Sequence, residues 1–171
     1  RRTALVVVDM QRGCLDDRGA MARLGLEIKS LKRTVQPVKQ LVSACRSAKI
    51  PLIFTRYVLR ADYIDAGGFA QKFPQAKAIR ALAIDTLDSE FLEDLKPTIA
   101  DFVVEKTRYT AFYNTNLEVL LSGLKVDTLI VCGVTTEMCV ESTVRDAFQR
   151  DFRVIVVKDA VAAADDARHE G

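Results

Sequence analysis

The chain is expected to fold as an α/β protein, a three-layer α/β/α sandwich around a mainly parallel sheet of five or six strands. Three observations carry that expectation. Apolar runs such as ALVVV (4–8), PLIFT (51–55) and TLIVCGV (128–134) are continuous rather than alternating, the pattern of strands buried on both faces. Between them, apolar residues recur at helical spacing. The two patterns alternate along the chain without an internal repeat or low-complexity linker, which puts helices on both faces of a parallel sheet. At 171 residues the chain suits one domain, 1–171. A chain of that size buries roughly 70% of its extended surface.

ALVVV is the first strand. Leu31, Val35, Val38, Leu41, Val42, Cys45 and Ala48 then predict a helix, in which Pro37 is tolerable only in the first turn. PLIFT is the second strand. Residues 59–88 are irregular and rich in Gly, Asp and Ala, and read as a loop or lid with a short helix. SEFLEDL (89–95) reads as a helix and FVVEK (102–106) as the third strand. Thr115 and Glu118 have capping-box spacing and open a helix bearing Leu117, Leu120, Leu121 and Leu124. After TLIVCGV, the fourth strand, Thr136 is expected to cap a helix whose inward stripe is Val140, Val144 and Phe148. RVIVV (153–157) is a fifth buried strand. The layout is Rossmann-like.

Composition narrows the function. With 25 basic and 23 acidic residues scattered along the chain, the net charge of +2 gives no footprint for nucleic acid or an anionic membrane. No apolar run approaches the ~20 residues of a membrane span, and no charged-then-apolar leader opens the sequence. A cytoplasmic protein is expected. Cys14, Cys45, Cys132 and Cys139 form no CxxC or Cys/His cluster, which argues against structural zinc. The single histidine, His169, lies near the end, so chemistry that requires imidazole has almost no candidate. No GxGxxG or GxxxxGK[ST] follows a strand, which argues against nucleotide binding.

Ligands of such folds bind beyond the carboxyl ends of the strands. Three titratable residues stand there: Asp9 after ALVVV, Lys106 closing FVVEK, and Cys139 just past TLIVCGV. A thiol in the first turn of a helix, near an ammonium, is expected to have its pKa pulled below the free value of about 8.5. Backbone N–H groups of that turn can receive an oxyanion, and Asp9 can take the thiol proton and return it to a departing amine. An acid, an amine and a thiol together describe a cysteine amidohydrolase acting on a small-molecule substrate. Cys132, inside a strand, and Cys45, on the apolar helix face, read as core fillers, and Cys14 as a loop residue without a role. Tyr109, Phe112 and Tyr113 cluster after the third strand, as a wall of the substrate pocket or as a hydrophobic plug under a loop.

VVVDMQ (6–11), EKTRYTAFYNT (105–115) and GVTTEMCVESTVRDA (133–147) resemble, in order and separation, the isochorismatase-like cysteine hydrolases. That family includes nicotinamidases, N-carbamoylsarcosine, ureidoacrylate and biuret amidohydrolases, and isochorismatases. The resemblance implies a triad of Asp9, Lys106 and Cys139, with a cis peptide between Val134 and Thr135 that aims the N–H groups of Thr135 and Cys139 at the oxyanion. It also places Gln11 at the pocket, and a homo-oligomer is expected. VESTVRDA and RYTAFYNT look closest to the ureido and biuret branch. Nicotinamidases carry an Asp-x-His metal site after the second strand; here that region reads TRYVLRADY and offers Asp62 and Asp65 but no histidine, so neither metal nor other cofactor is expected. The chain stops at DARHEG, earlier than most relatives, so a last helix and edge strand are expected to be missing.

The leading expectation is hydrolysis of a small amide, ureide or carbamoyl compound through a thioester-type intermediate. One alternative is a vinyl-ether hydrolase of the isochorismatase type, with Asp9 as acid. Another is a non-catalytic scaffold that retains the fold.

Overall fold

Strands β1 (Thr3–Val8), β2 (Leu52–Tyr57), β3 (Phe102–Lys106), β4 (Thr128–Val134) and β5 (Arg153–Ala162) form one sheet in the order β3-β2-β1-β4-β5, with every pairing parallel. The computed structural model describes residues 2–170, apart from the side chains at 166 and 170; the two ends of the 1–171 span lie outside the described residues. β1 is central, and Ala4 to Val8 are fully shielded. Its alternating side chains feed two cores. Leu5 and Val7 join Leu52, Phe54 and Cys132 beneath Val38, Val42 and Cys45 of the main helix, Val35–Ser47. Val6 and Val8 face Leu117 and Leu121 on the other side, with Val140 and Ala147. This period-two division of one strand between two helical layers is what a continuous apolar run encodes.

Among the described residues eight α-helical segments accompany the strands: α1 (Arg12–Leu15), α2 (Ala20–Arg23), α3 (Lys29–Lys32), α4 (Val35–Ser47), α5 (Gly68–Lys72), α6 (Leu117–Gly123), α7 (Glu141–Phe148) and α8 (Asp166–Glu170). Pro37 is the third residue of α4, where no intrahelical N–H bond is lost. Among the described residues, no helix is long and apolar enough to cross a membrane.

Several local expectations are corrected. Residues 89–95 are not an α-helix; two 3₁₀ turns, Leu87–Ser89 and Glu93–Leu95, flank an extended piece. Its backbone groups pair across the chain, Arg12 N–H with Glu90 O at 2.8 Å and Leu92 N–H with Met10 O at 3.1 Å. The capping box does not form. α6 begins at Leu117, Thr115 Oγ1 accepts the Leu117 N–H at 3.2 Å, and Glu118 pairs outward with Arg150 at 3.1 Å. Thr136 caps nothing; its hydroxyl meets His169 Nδ1 at 3.0 Å, and a single π turn, Thr136–Val140, precedes α7. Val140, Thr143 and Ala147 form the buried stripe, at i, i+3 and i+7, so Phe148 lies one residue too far round and is 72% exposed. β5 is longer than RVIVV and, among the described residues, is an edge strand paired with β4 alone, and Ile155 and Val156 stay largely open.

The chain runs β1, β2, β3 outward on one side and then returns to β4 and β5 on the other, so the switch point lies between β1 and β4. Gly133 makes that junction possible. Its φ is +115°, and a Cβ there would meet Val8 O at 2.0 Å, so no larger residue fits where β4 shifts register against β5. Residues 59–88 wrap over this edge with α5 as their one α-helix. Asp88 fastens the wrap: its buried carboxylate accepts the N–H groups of Ala20 at 3.0 Å and Leu82 at 2.9 Å and pairs with Arg23 at 2.5 Å.

Candidate active site

Asp9 follows β1 with φ +49°, a left-handed conformation that aspartate tolerates better than most residues. Thr55, in β2, holds it: Asp9 N–H bonds Thr55 O at 3.2 Å, and the Thr55 hydroxyl donates to Asp9 Oδ1 at 2.7 Å. Lys106 closes β3 and reaches inward, its Nζ 2.7 Å from Asp9 Oδ2 and 3.2 Å from Cys139 Sγ, with Arg108 O at 3.1 Å. The ammonium also stands 4.6 Å from the Tyr57 ring centroid. Cys139 sits in the π turn after β4, and Asp9 and Lys106 both act on its sulfur. The structure thus brings the three sequence-identified groups to one buried point on the carboxyl edge of the sheet.

Burial decides the resting protonation of the thiol. It pushes Cys139 well up, and Lys106 only partly opposes it while Asp9 adds to it. The expected lowering at a helix start is therefore corrected: shielded from water, the sulfur loses more by desolvation than nearby charge returns. Burial works against the Lys106 charge too, but Asp9 and Cys139 outweigh it, and the amine is raised. Cys14 is raised by burial and then by Asp9, and Cys132 chiefly by burial.

These thiols make stability sensitive to alkali. An unfolded thiol ionises near 8.5 whereas the buried ones keep their protons, so their contribution is complete below that pH and is lost as pH rises above it. Each thiol should cost about 1.4 kcal/mol per pH unit in that range. Urea unfolding between pH 7.5 and 10 is expected to show this fall, and Cys132→Ala to reduce its slope; a flat profile would contradict it.

The cluster opens on a narrow cavity of about 20 Å3. Asp9, Cys14 and Cys139 line it together with Tyr57, Phe69, Phe73, Tyr109 and Met138. Its apolar wall and few polar groups suit a small molecule. Thr135 also lines it, with a buried hydroxyl that has no hydrogen-bond partner among the described residues, and the Val134–Thr135 peptide is cis. Of the three loop aromatics, Tyr109 faces the cavity. Phe112 packs beside Phe152 beneath Arg150, and Tyr113 lies half-exposed under Arg108.

Gln11 is fully buried but turned to the scaffold. Its amide accepts Tyr57 N–H at 2.7 Å and donates to Tyr57 O at 3.0 Å and Asp88 O at 2.6 Å, prolonging the β1–β2 ladder past its end. Among the described residues, no group of three His, Cys, Asp or Glu side chains converges as a metal site, and Asp62 is paired with Arg60. Sequence reasoning missed Thr55, Tyr57, Cys14, Phe69, Phe73 and Met138. For Thr55 a signal existed, a hydroxyl near the carboxyl end of an otherwise apolar strand beside the one that leads to Asp9.

The parallel sheet and the acid–amine–thiol cluster at its switch point define a Rossmann-like α/β protein with hydrolase-type chemistry on its carboxyl edge. The Isochorismatase domain model matches residues 3–171, and the chain belongs to the isochorismatase family. It is 32% identical over 171 residues to the ureidoacrylate amidohydrolase RutB of Agrobacterium fabrum, covering 92% of this chain and 75% of that protein. The Serratia proteamaculans RutB is 33% identical over 176 residues, covering 96% and 71%. Among solved structures, a cysteine hydrolase from Pseudomonas syringae pv. phaseolicola superposes with TM-score 0.87 at 39% identity, over 95% of this chain and 73% of that one. The N-carbamoylsarcosine amidase of Thermoplasma acidophilum gives TM-score 0.81 at 30% identity, over 99% and 89%.

Proposed function

We propose that this protein hydrolyses a C–N bond of a small amide, ureide or carbamoyl compound through a thioester-type intermediate on Cys139. The observation that carries the reading is the wholly buried Lys106 ammonium, 2.7 Å from Asp9 and 3.2 Å from the Cys139 sulfur on the wall of a small apolar cavity. The amidohydrolase names of relatives at 30–33% identity support the C–N chemistry.

In this mechanism the thiol rests protonated. Asp9 takes its proton as Sγ attacks the carbonyl carbon, and Lys106 stabilises the sulfur charge as it forms. The N–H groups of Thr135 and Cys139 receive the oxyanion, a contribution of about 3 kcal/mol per donor. When the C–N bond breaks, Asp9 returns the proton to the departing nitrogen. Water then adds to the thioester carbon with Asp9 again taking a proton, and cleavage of the C–S bond restores the thiol. Tyr109 walls the substrate. Gln11 acts through the loop it anchors, and Phe112 and Tyr113, which pack against Arg150 and Arg108, have no direct part in the step.

The test is ammonia release from a panel of primary amides, ureides and carbamoyl compounds, with mass analysis of Cys139 after rapid quenching. At least one compound should release ammonia, undiminished in EDTA, and leave its acyl group on Cys139. Turnover without such an adduct, or cleavage of an added vinyl ether to an alcohol and a carbonyl compound with no ammonia released from any of the panel, would overturn the reading.

A further inference from the structure

Among the described residues four threonines are buried, and three of them use their hydroxyls inside the fold. Thr34 Oγ1 donates to Leu31 O, Thr55 Oγ1 to Asp9 Oδ1 and Thr143 Oγ1 to Cys139 O, each at 2.7 Å. Thr135 is the exception. It is 4% exposed, it lines the same cavity as Asp9 and Cys139, and its hydroxyl has no partner among the described residues. A buried hydroxyl left unpaired costs the fold its desolvation penalty, which a valine of the same shape would avoid. Packing therefore gives no reason for a hydroxyl here, and such a group calls for a ligand or an ordered water.

The other hydroxyls on the cavity wall are engaged. Tyr57 donates to Thr107 O at 3.0 Å, and Tyr109 accepts from Lys72 at 3.2 Å. Asp9 accepts from Thr55 on Oδ1 and from Lys106 on Oδ2. A carboxylate has about four lone-pair sites, so it can accept a further bond. The free space is about 20 Å3. A water needs roughly 10–15 Å3 and about 2–4 polar partners, so there is room for one, bonded to Thr135 and Asp9.

We propose that Thr135 is a catalytic residue of the deacylation step, its hydroxyl holding the water that hydrolyses the thioester on Cys139. This rests on the C–N hydrolase reading above and deepens it. With the nitrogen product gone, one O–H of the water points to Asp9 and the other to Thr135 Oγ1, which leaves an oxygen lone pair for the thioester carbon. The C–O bond forms as Asp9 takes the first proton, and the carbonyl π pair moves onto the oxyanion. When that pair returns, the C–S bond breaks, the sulfur regains the proton from Asp9, and the acid is released. The Thr135 N–H belongs to the backbone and survives a side-chain change, so the hydroxyl can be tested by itself.

The probe is p-nitrophenyl acetate, which transfers its acetyl group to a thiol with loss of nitrophenol. Rapid quenching and peptide mass analysis follow the acetyl group on Cys139 in the native protein, Thr135→Val and Thr135→Ser. In Thr135→Val the group should form at nearly the native rate but decay about 10-fold more slowly, the scale of one lost hydrogen bond. Thr135→Ser, which keeps the hydroxyl, should decay like the native protein. The urea midpoint of Thr135→Val should be no lower than native, since no internal bond is lost. A lower midpoint, with formation and decay slowed alike, would make Thr135 a structural part of the turn and overturn the inference. If Cys139 is acetylated and Thr135→Val loses the group as fast as the native protein, the inference alone fails. If no acetyl group reaches Cys139 in the native protein, the thioester reading fails and the inference falls with it.

Discussion

Cys139→Ala should reduce turnover of any accepted substrate by about 10³ or more while leaving the protein folded. That loss corresponds to about 4 kcal/mol of transition-state stabilisation. Without the sulfur, Lys106 still neutralises Asp9 at 2.7 Å, so the buried charges remain paired and the fold has little reason to fail. Residual hydrolysis would come from binding and oxyanion contacts, with Asp9 acting on water directly. Cys45→Ala is the control, since that thiol lies on the buried face of α4 in the opposite core. It should cost about 1 kcal/mol in urea unfolding and leave kcat unchanged. Retention of more than a tenth of native turnover by Cys139→Ala would remove the covalent route and leave general acid–base chemistry through Asp9.

The strands were legible because residues such as Ala4 to Val8 must be apolar on both faces, and that constraint is written locally in the sequence. Asp9, Lys106 and Cys139 were legible because each ends or follows such a run, where packing does not ask for a titratable group. The cavity wall was not. Phe69, Phe73 and Met138 carry the same apolar signature as core residues, and only their tertiary placement turns them toward an opening. The extended segment around Phe91 was missed for a related reason: its hydrogen bonds run to residues about 80 positions away, and local periodicity cannot register such partners. The thiol was misjudged in direction because helix-end position is visible in sequence whereas depth of burial is not. Phe148 fits a helical stripe as well as Ala147 does, and only the sheet beneath decides which of them turns inward.

Lys106→Met should destabilise the protein by about 3–5 kcal/mol at pH 7, the scale expected when one partner of a buried ion pair is removed. The Lys106 side chain is wholly shielded and that of Asp9 is 2% exposed, so water cannot take over the lost interaction. Methionine replaces most of the apolar stem but not the ammonium, which bonds Asp9, Arg108 O and Cys139. The stranded carboxylate would keep the Thr55 hydroxyl at 2.7 Å, one neutral donor in place of a charged one. Adding Asp9→Asn should recover part of the loss, so that Asp9→Asn/Lys106→Met is more stable than the sum of the single changes predicts. Urea unfolding of all four proteins at pH 7 measures the coupling. Strict additivity, or a Lys106→Met deficit below about 1 kcal/mol, would mean that Asp9 and Lys106 are not a coupled buried pair. In that case the charge balance on which the proton transfer from Cys139 to Asp9 depends would be absent.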